Sequence, residues 1–210
     1  MKLGVLGASG RTGTEVVRQA LDAGHQVTVL VRNPAKLGEF KDRVQVIQGD
    51  ATDTAAVSKL VAGQDAVVNA LGQVKGGPPN LMEVNARHLV AAMQEHGIKR
   101  VTLLSGAGIR VEQDHPSLSG RAIAWALGRM IAAQIADGRV QMDVLQAASG
   151  LEWVVVRATT LTDGLLTGTY RLGYPNRGPS AKISRADVAH ALLGQLTSGV
   201  WVRQAPAIQY

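Results

Sequence analysis

Lys2-Leu3-Gly4-Val5-Leu6-Gly7-Ala8-Ser9-Gly10-Arg11-Thr12-Gly13 stands at the head of the chain. Five strand-like residues, Lys2 to Leu6, run straight into a glycine-rich turn, and Val16, Val17, Ala20 and Leu21 then recur at helical spacing. Strand, glycine turn and amphipathic helix in that order make the opening unit of a dinucleotide-binding sheet. Backbone N–H groups and the positive end of a helix dipole meet in such a turn, where a pyrophosphate is stabilised. Gly7 is expected to allow the tight turn, Gly10 the close approach of phosphate, and Gly13 the packing of helix on strand. Ser9, Arg11 and Thr12 complete the candidate cofactor loop. The alternative is a tight strand-to-helix turn with no ligand.

Further along, short β-branched runs alternate with helical stretches, the pattern of a parallel sheet covered on both faces. Strands are expected at Lys2 to Leu6, Gln26 to Val31, Val44 to Gln48, Ala66 to Asn69, Arg100 to Leu104 and Glu152 to Val156. Met82, Ala86, Leu89, Val90 and Met93 mark one apolar helix face. Asn33-Pro34 reads as an N-cap with proline at the first helical position. Ser184-Arg-Ala-Asp187 has capping-box spacing, so a last helix starts there. The stretch from Arg121 to Ser149 is helical, with Gly128 and Gly138 expected to break it. The fold class is α/β, a Rossmann-like doubly wound parallel sheet, and residues 1–210 form a single domain. Loops 105–120 and 157–180 leave the carboxyl ends of strands and are expected to face the substrate.

Composition narrows the partners. The 210 residues are 46% hydrophobic and 18% charged, enough for a substantial core. There is no cysteine, which excludes disulfides, thiolate metal sites and a cysteine nucleophile. The net charge of +6 comes from 22 scattered basic residues, and aromatics are 3% of the chain, too few for nucleic-acid stacking platforms. No nucleic acid and no membrane partner are therefore expected. No apolar stretch reaches about 18 residues, so the expectation is a cytoplasmic protein, a monomer or weak homo-oligomer.

The end of the second strand discriminates between nucleotides. An NAD site usually places Asp or Glu there for the ribose 2′-OH. Here Arg32 stands instead, with Lys36 one turn on, and cations at these positions suit the 2′-phosphate of NADP(H). Arg11 adds positive charge nearby. A solvated arginine at a strand end is the plainer alternative.

The spacing G-x-x-G-x-x-G resembles the extended and atypical branches of the short-chain dehydrogenase/reductase superfamily. Val29-Leu-Val-Arg32-Asn-Pro-Ala-Lys36, Gln48-Gly-Asp50-Ala51, Ala62-Gly-Gln-Asp65-Ala-Val-Val-Asn-Ala-Leu-Gly72, Leu166-Thr-Gly168, Arg177-Gly-Pro-Ser180 and Ile183-Ser184 extend the likeness. Together they resemble the NAD(P)H-dependent flavin reductase/biliverdin-IXβ reductase family. That resemblance implies that Asp50 lies near the adenine amino group, with Ala51 as a small backbone-donating neighbour. Asp50 could instead cap the helix that begins near Asp53. Ala70, Leu71 and Gly72 would pass under the ribose of the nicotinamide half.

Catalysis has the faintest signature. None of Tyr170, Tyr174 and Tyr210 precedes a Lys by four residues, so the usual alcohol dehydrogenase mechanism is not expected. By resemblance, Ser105 lies near the nicotinamide and donates a hydrogen bond; a strand-ending serine without a role is the alternative. The stretch Arg157 to Asp163 would lie against the nicotinamide, with Leu161 as a cofactor contact. Thr160 takes the place of a histidine that biliverdin-IXβ reductases carry in a Pro-Pro-His-Ile motif. That change removes a proton donor but leaves flavin reduction open, because solvent can protonate a reduced flavin. His115 is the candidate substrate contact, and no histidine spacing suits a metal. Trp125 and Trp153 read as packing. The leading expectation is an NADPH-dependent oxidoreductase that passes hydride to a planar small-molecule acceptor such as flavin or a related pigment or quinone. The alternative is a noncatalytic NmrA-like NADP(H)-binding redox-sensing regulator.

Overall fold

A computed structural model of the chain describes residues 1–73, 77–114, 131–174 and 181–210. Strand β1 (Lys2–Leu6), helix α1 (Arg11–Asp22), β2 (Gln26–Val31), a 3-10 helix (Pro34–Phe40), β3 (Gln45–Gln48), α2 (Thr54–Val61) and β4 (Ala66–Asn69) come first. After them run α3 (Leu81–Glu95), β5 (Arg100–Gly106), α4 (Ala132–Ala147) and β6 (Glu152–Ala158). The chain closes with β7 (Thr160–Thr162), β8 (Arg171–Gly173), β9 (Lys182–Ser184), α5 (Arg185–Gly194) and β10 (Ala207–Gln209).

Eight strands form one sheet in the order β3-β2-β1-β4-β5-β6-β10-β8. All neighbours run parallel except β8, which is antiparallel to β10. The strand order reverses between β1 and β4, and a crevice opens at the carboxyl ends of strands at such a switch point. This is the doubly wound α/β fold expected from the alternation. Strands β7 and β9 pair separately, in parallel.

Alternating side chains supply both faces of the sheet. Leu3, Val5, Val29 and Val156 pack with Val16 and Val17 of α1 and Val188 and Leu192 of α5. Leu6, Val67, Leu103 and Val155 face the other way, onto Leu60 of α2, Leu89 of α3 and Leu145 of α4. The central strands β1, β2, β4, β5 and β6 carry apolar residues on both faces because both faces of the sheet are covered. Local signals hold at the helix starts: Asn33 accepts the Ala35 N–H at 3.0 Å, and Ser184 accepts the Asp187 N–H at 3.0 Å.

Three expectations are corrected. The stretch 157–180, expected as loop, contains β7 and β8, and neither β9 nor β10 is marked in the sequence pattern; each has three residues, too few to show a period. Gly138 does not break α4, which runs from Ala132 to Ala147. A Cβ at Gly138 would fall 2.1 Å from Ile109 Cδ1, so the glycine makes room for that side chain. Gly128 and Trp125 lie outside the described residues.

Arg157 supplies the third correction. Its side chain is fully buried and does not turn to the cofactor crevice. Nε donates to the Ala205 carbonyl at 2.6 Å and Nη1 to the Ile109 carbonyl at 2.6 Å. Both terminal nitrogens grip the Asp114 carboxylate, at 2.6 and 2.7 Å. A buried guanidinium is tolerable only when paired and hydrogen-bonded in this way. It moors the segment after β5 to the sheet. Trp153 is buried in the core as expected. No helix among the described residues is long and apolar enough to cross a membrane.

Candidate functional site

Between β1 and α1, each glycine has a different job. Gly7 has φ +75, and a Cβ there would lie 2.6 Å from the Ala70 carbonyl carbon and 2.8 Å from the Leu71 nitrogen. Only glycine fits such a turn against a neighbouring backbone. At Gly13 a Cβ would stand 2.0 Å from the Gly7 oxygen, so helix α1 could not seat on the turn. Gly10 is the N-cap of α1 and provides no side-chain cap. A Cβ at Gly10 would meet the Gly7 oxygen at 3.2 Å and otherwise point into open space.

Thr12 is buried under the turn, while Ser9 and Arg11 are exposed. The first turn of α1 thus has no side-chain cap, which leaves its start available to an anion. Arg11 reaches sideways to Asp163 at 3.4 Å, and the other oxygen of Asp163 takes Arg185 at 2.5 Å. This exposed bridge ties the turn to the segment after β7.

Past the end of β2, Arg32 and Lys36 are exposed, and neither cationic group makes a hydrogen bond or close ion pair with a described residue. Asp50 Oδ1 accepts the Thr52 N–H at 2.8 Å and its hydroxyl at 2.7 Å. These bonds from Thr52, with a smaller pull from Arg32, hold the Asp50 carboxyl below its ordinary pKa against the opposing effect of burial. The capping alternative for Asp50 fails, because Asp53 caps α2 through the N–H groups of Ala55 and Ala56 at 2.9 and 3.4 Å.

Two asparagines join the crevice loops. Asn69 ends β4 and Asn85 lies on α3, at 2% and 0% exposure. The Asn69 amide donates to Asn85 Oδ1 at 2.8 Å, and the Asn85 amide donates to the Ala51 carbonyl at 2.8 Å. Asn69 Oδ1 in turn accepts the Leu71 N–H at 3.1 Å. Ala51 and Leu71, on two separate loops, are therefore held by one buried chain. Sequence reasoning misses this pair, although a signal exists in an amide closing an apolar strand and another on an apolar helix face.

Beyond Leu71 lies a cavity of about 280 Å³ whose wall includes Leu71, Gly72, Gln73, Ser105, Thr159 and Leu161. Ser105 sits near the end of β5, opposite Arg157 of β6 in register. Ala70 is buried behind the glycine turn and does not line the cavity. Thr160 is also absent from the wall and is exposed on β7. Successive strand residues point to opposite sides, and Leu161 of β7 and Thr159, just before it, line the wall. His115 lies outside the described residues.

A family model described as NAD(P)H-binding matches residues 7–199. The chain belongs to this NAD(P)H-binding family. YwnB of Bacillus subtilis (strain 168) is 29% identical over 202 residues, 93% of this chain and 92% of that protein. A (4-alkanoyl-5-oxo-2,5-dihydrofuran-3-yl)methyl phosphate reductase of Streptomyces griseus is 27% identical over 203 residues, 92% of this chain but 62% of that longer protein. Among solved structures, a short-chain dehydrogenase/reductase from Veillonella parvula in complex with NADP has a TM-score of 0.81 at 19% identity, covering 100% of this chain and 94% of that one. At that identity the likeness concerns the fold. The resemblance to atypical short-chain dehydrogenase/reductases read from the motifs holds at this level.

The residues present fit the dinucleotide that gives the NAD(P)H-binding family its description. The glycine cradle and the uncapped start of α1 can receive phosphates, and Asp50, Arg32 and Lys36 are the residues that would hold the adenosine half. Of the later motif stretches, Thr167, Gly168 and Ser184 hold to Asp187, while residues 177–180 lie outside the described residues. Asp187, fully buried, accepts hydrogen bonds from the Thr167 N–H and hydroxyl, the Gly168 N–H and the Tyr210 hydroxyl at 2.7 to 3.0 Å. Burial alone would raise its pKa, but the donors Tyr210, Gly168 and Thr167 more than offset it and hold the carboxyl below its ordinary value. These motif residues fasten the carboxyl-terminal tail to α5.

Proposed function

We propose that the protein is an NADPH-dependent reductase that passes hydride to a planar acceptor such as a flavin or a related pigment or quinone. One observation carries this reading: the cavity that holds Ser105 begins at Leu71, whose backbone also backs the glycine turn. Cofactor cradle and acceptor space are thus contiguous. Among the described residues, the cavity wall has no titratable side chain. Such a wall suits an acceptor whose proton comes from solvent, as a reduced flavin's can.

When bound, the nicotinamide supplies the hydride, and the chain supplies position and a dry wall. The start of α1 receives the pyrophosphate. Arg32 and Lys36 favour a 2′-phosphate, which the NADP-bound Veillonella relative of this fold supports. The Ser105 hydroxyl orients nicotinamide or acceptor by donating a hydrogen bond, and Leu161 packs beside it. The reductase name of the Streptomyces relative favours an enzyme over a noncatalytic redox sensor.

NADPH oxidation with FMN, riboflavin, quinones and biliverdin isomers, each as sole acceptor, tests the proposal. Flavin-dependent oxidation is expected. Tight NADPH binding with no oxidation by any acceptor would overturn it in favour of the NmrA-like regulator.

A further inference from the structure

Two polar groups of the cavity wall, Gln73 and Thr159, are committed in one direction. Gln73 Nε2 lies 2.5 Å from Asp137 Oδ2 and 3.3 Å from the Pro79 carbonyl oxygen. Asp137 also accepts the N–H groups of Met82 and Glu83, each at 2.9 Å, which fixes its carboxylate at the start of α3. A nitrogen facing two oxygen acceptors has to be the amide NH₂, so the orientation of the Gln73 amide follows from chemistry. Its carbonyl oxygen is left without a partner among the described residues, on a side chain that lines the cavity. Thr159 is committed in the same sense, since its hydroxyl donates to the Ile208 carbonyl at 3.2 Å and only its lone pairs remain.

We infer that Gln73 selects acceptors that present a cyclic amide or imide N–H, such as the pyrimidinedione edge of a flavin or the lactam of a linear tetrapyrrole, over quinones. This rests on the reductase reading above. A quinone has only carbonyl oxygens as polar atoms, so it would set acceptor against acceptor at Gln73. Leaving a site's fixed polar group unpaired discriminates more strongly than any change in apolar fit. Asp137 acts through Gln73 as a positioning residue: it holds the amide so that the oxygen cannot exchange places with the nitrogen.

The test compares lumiflavin with N3-methyllumiflavin, which lacks the imide N–H, in wild type and in Gln73→Met, a near-isosteric change. Binding is read by flavin fluorescence quenching with NADP⁺ present, and turnover by NADPH oxidation; circular dichroism checks the fold. Wild type should bind and reduce lumiflavin about tenfold better than its methylated form, and Gln73→Met should nearly abolish the difference. Biliverdin and menadione, as further sole acceptors, separate the sources of the N–H. Gln73→Met should cost biliverdin about tenfold through the lost lactam contact and should improve menadione use, because the opposing acceptor is removed. Equal use of the two lumiflavins by wild type, or a gap that persists in Gln73→Met, overturns the inference while the reductase reading stands. Failure of every acceptor to bind or react overturns both.

Discussion

The side-chain amide of Asn85 donates to the carbonyl oxygen of Ala51 at 2.8 Å, which joins helix α3 to the loop that follows β3. Through Asn69 the same chain reaches the Leu71 N–H, so the two loops proposed to flank the cofactor share one buried support. Asn85→Leu would leave the Ala51 carbonyl and the Asn69 amide unsatisfied. Stability should fall by about 1–3 kcal/mol in denaturant unfolding. NADPH affinity, titrated at a temperature where the variant is folded, should fall by about tenfold, one lost orienting bond. Unchanged affinity in a destabilised variant would make the pair a support for the core alone.

Arg32 makes no hydrogen bond or close ion pair with a described residue and feels Asp50 only at longer range, so its charge is available at the end of β2. Arg32→Ala should weaken NADPH by about 1–3 kcal/mol, the scale of a charge-assisted contact, and leave NADH little changed. Calorimetric titration of both cofactors decides it, and equal wild-type affinities would sink the assignment.

The glycine turn separates binding from folding. Gly10 has extended backbone, φ −82 and ψ 161, and a Cβ there would meet only the Gly7 oxygen, at 3.2 Å, so Gly10→Val should fold with a small local shift and lose dinucleotide binding. Gly13→Ala would drive a methyl group to 2.0 Å from the Gly7 oxygen, so it should lower the melting temperature whether or not cofactor is present. Thermal unfolding and cofactor titration on the same samples distinguish the two, and a Gly10→Val protein that still binds NADPH would reduce the turn to a structural element.

Ser105 contributes a hydroxyl but no acid to the cavity wall. If it orients the nicotinamide or acceptor, Ser105→Ala should slow flavin reduction by about tenfold to a hundredfold. A loss of several further powers of ten, with a bell-shaped pH profile abolished, would instead mark an essential proton donor.

Asp187 has its folded pKa below the ordinary value, so the stability it adds is fully present above the ordinary carboxylate range and is lost as pH falls through the lowered value. Asp187→Asn should therefore be less stable than wild type at neutral pH, by about 1–3 kcal/mol for a buried charged hydrogen-bond acceptor. The gap should close below about pH 4. Urea unfolding across that range measures it, and a gap independent of pH would show that the carboxylate charge is immaterial.

Local physics wrote much of this protein legibly into its amino-acid order. The six long strands, the Gly7 turn, the Gly13 packing and the caps at Asn33 and Ser184 depend on near neighbours, on a period of two or 3.6, or on a turn that one residue type alone can make. Arg32 could be placed because it directly follows β2. Other features required the folded chain. Arg157 meets Asp114 across 43 positions, Asp137 reaches Met82 across 55, and Asn85 finds Ala51 across 34. No periodicity links residues so far apart, because their pairing depends on how whole elements dock. Which residues around β7 line the cavity was not legible for a related reason: β7 has three residues, too few to show an alternation of their own. The orientation of the Gln73 amide likewise exists only once α4 brings Asp137 beside it, since a free glutamine can turn either edge to its surroundings.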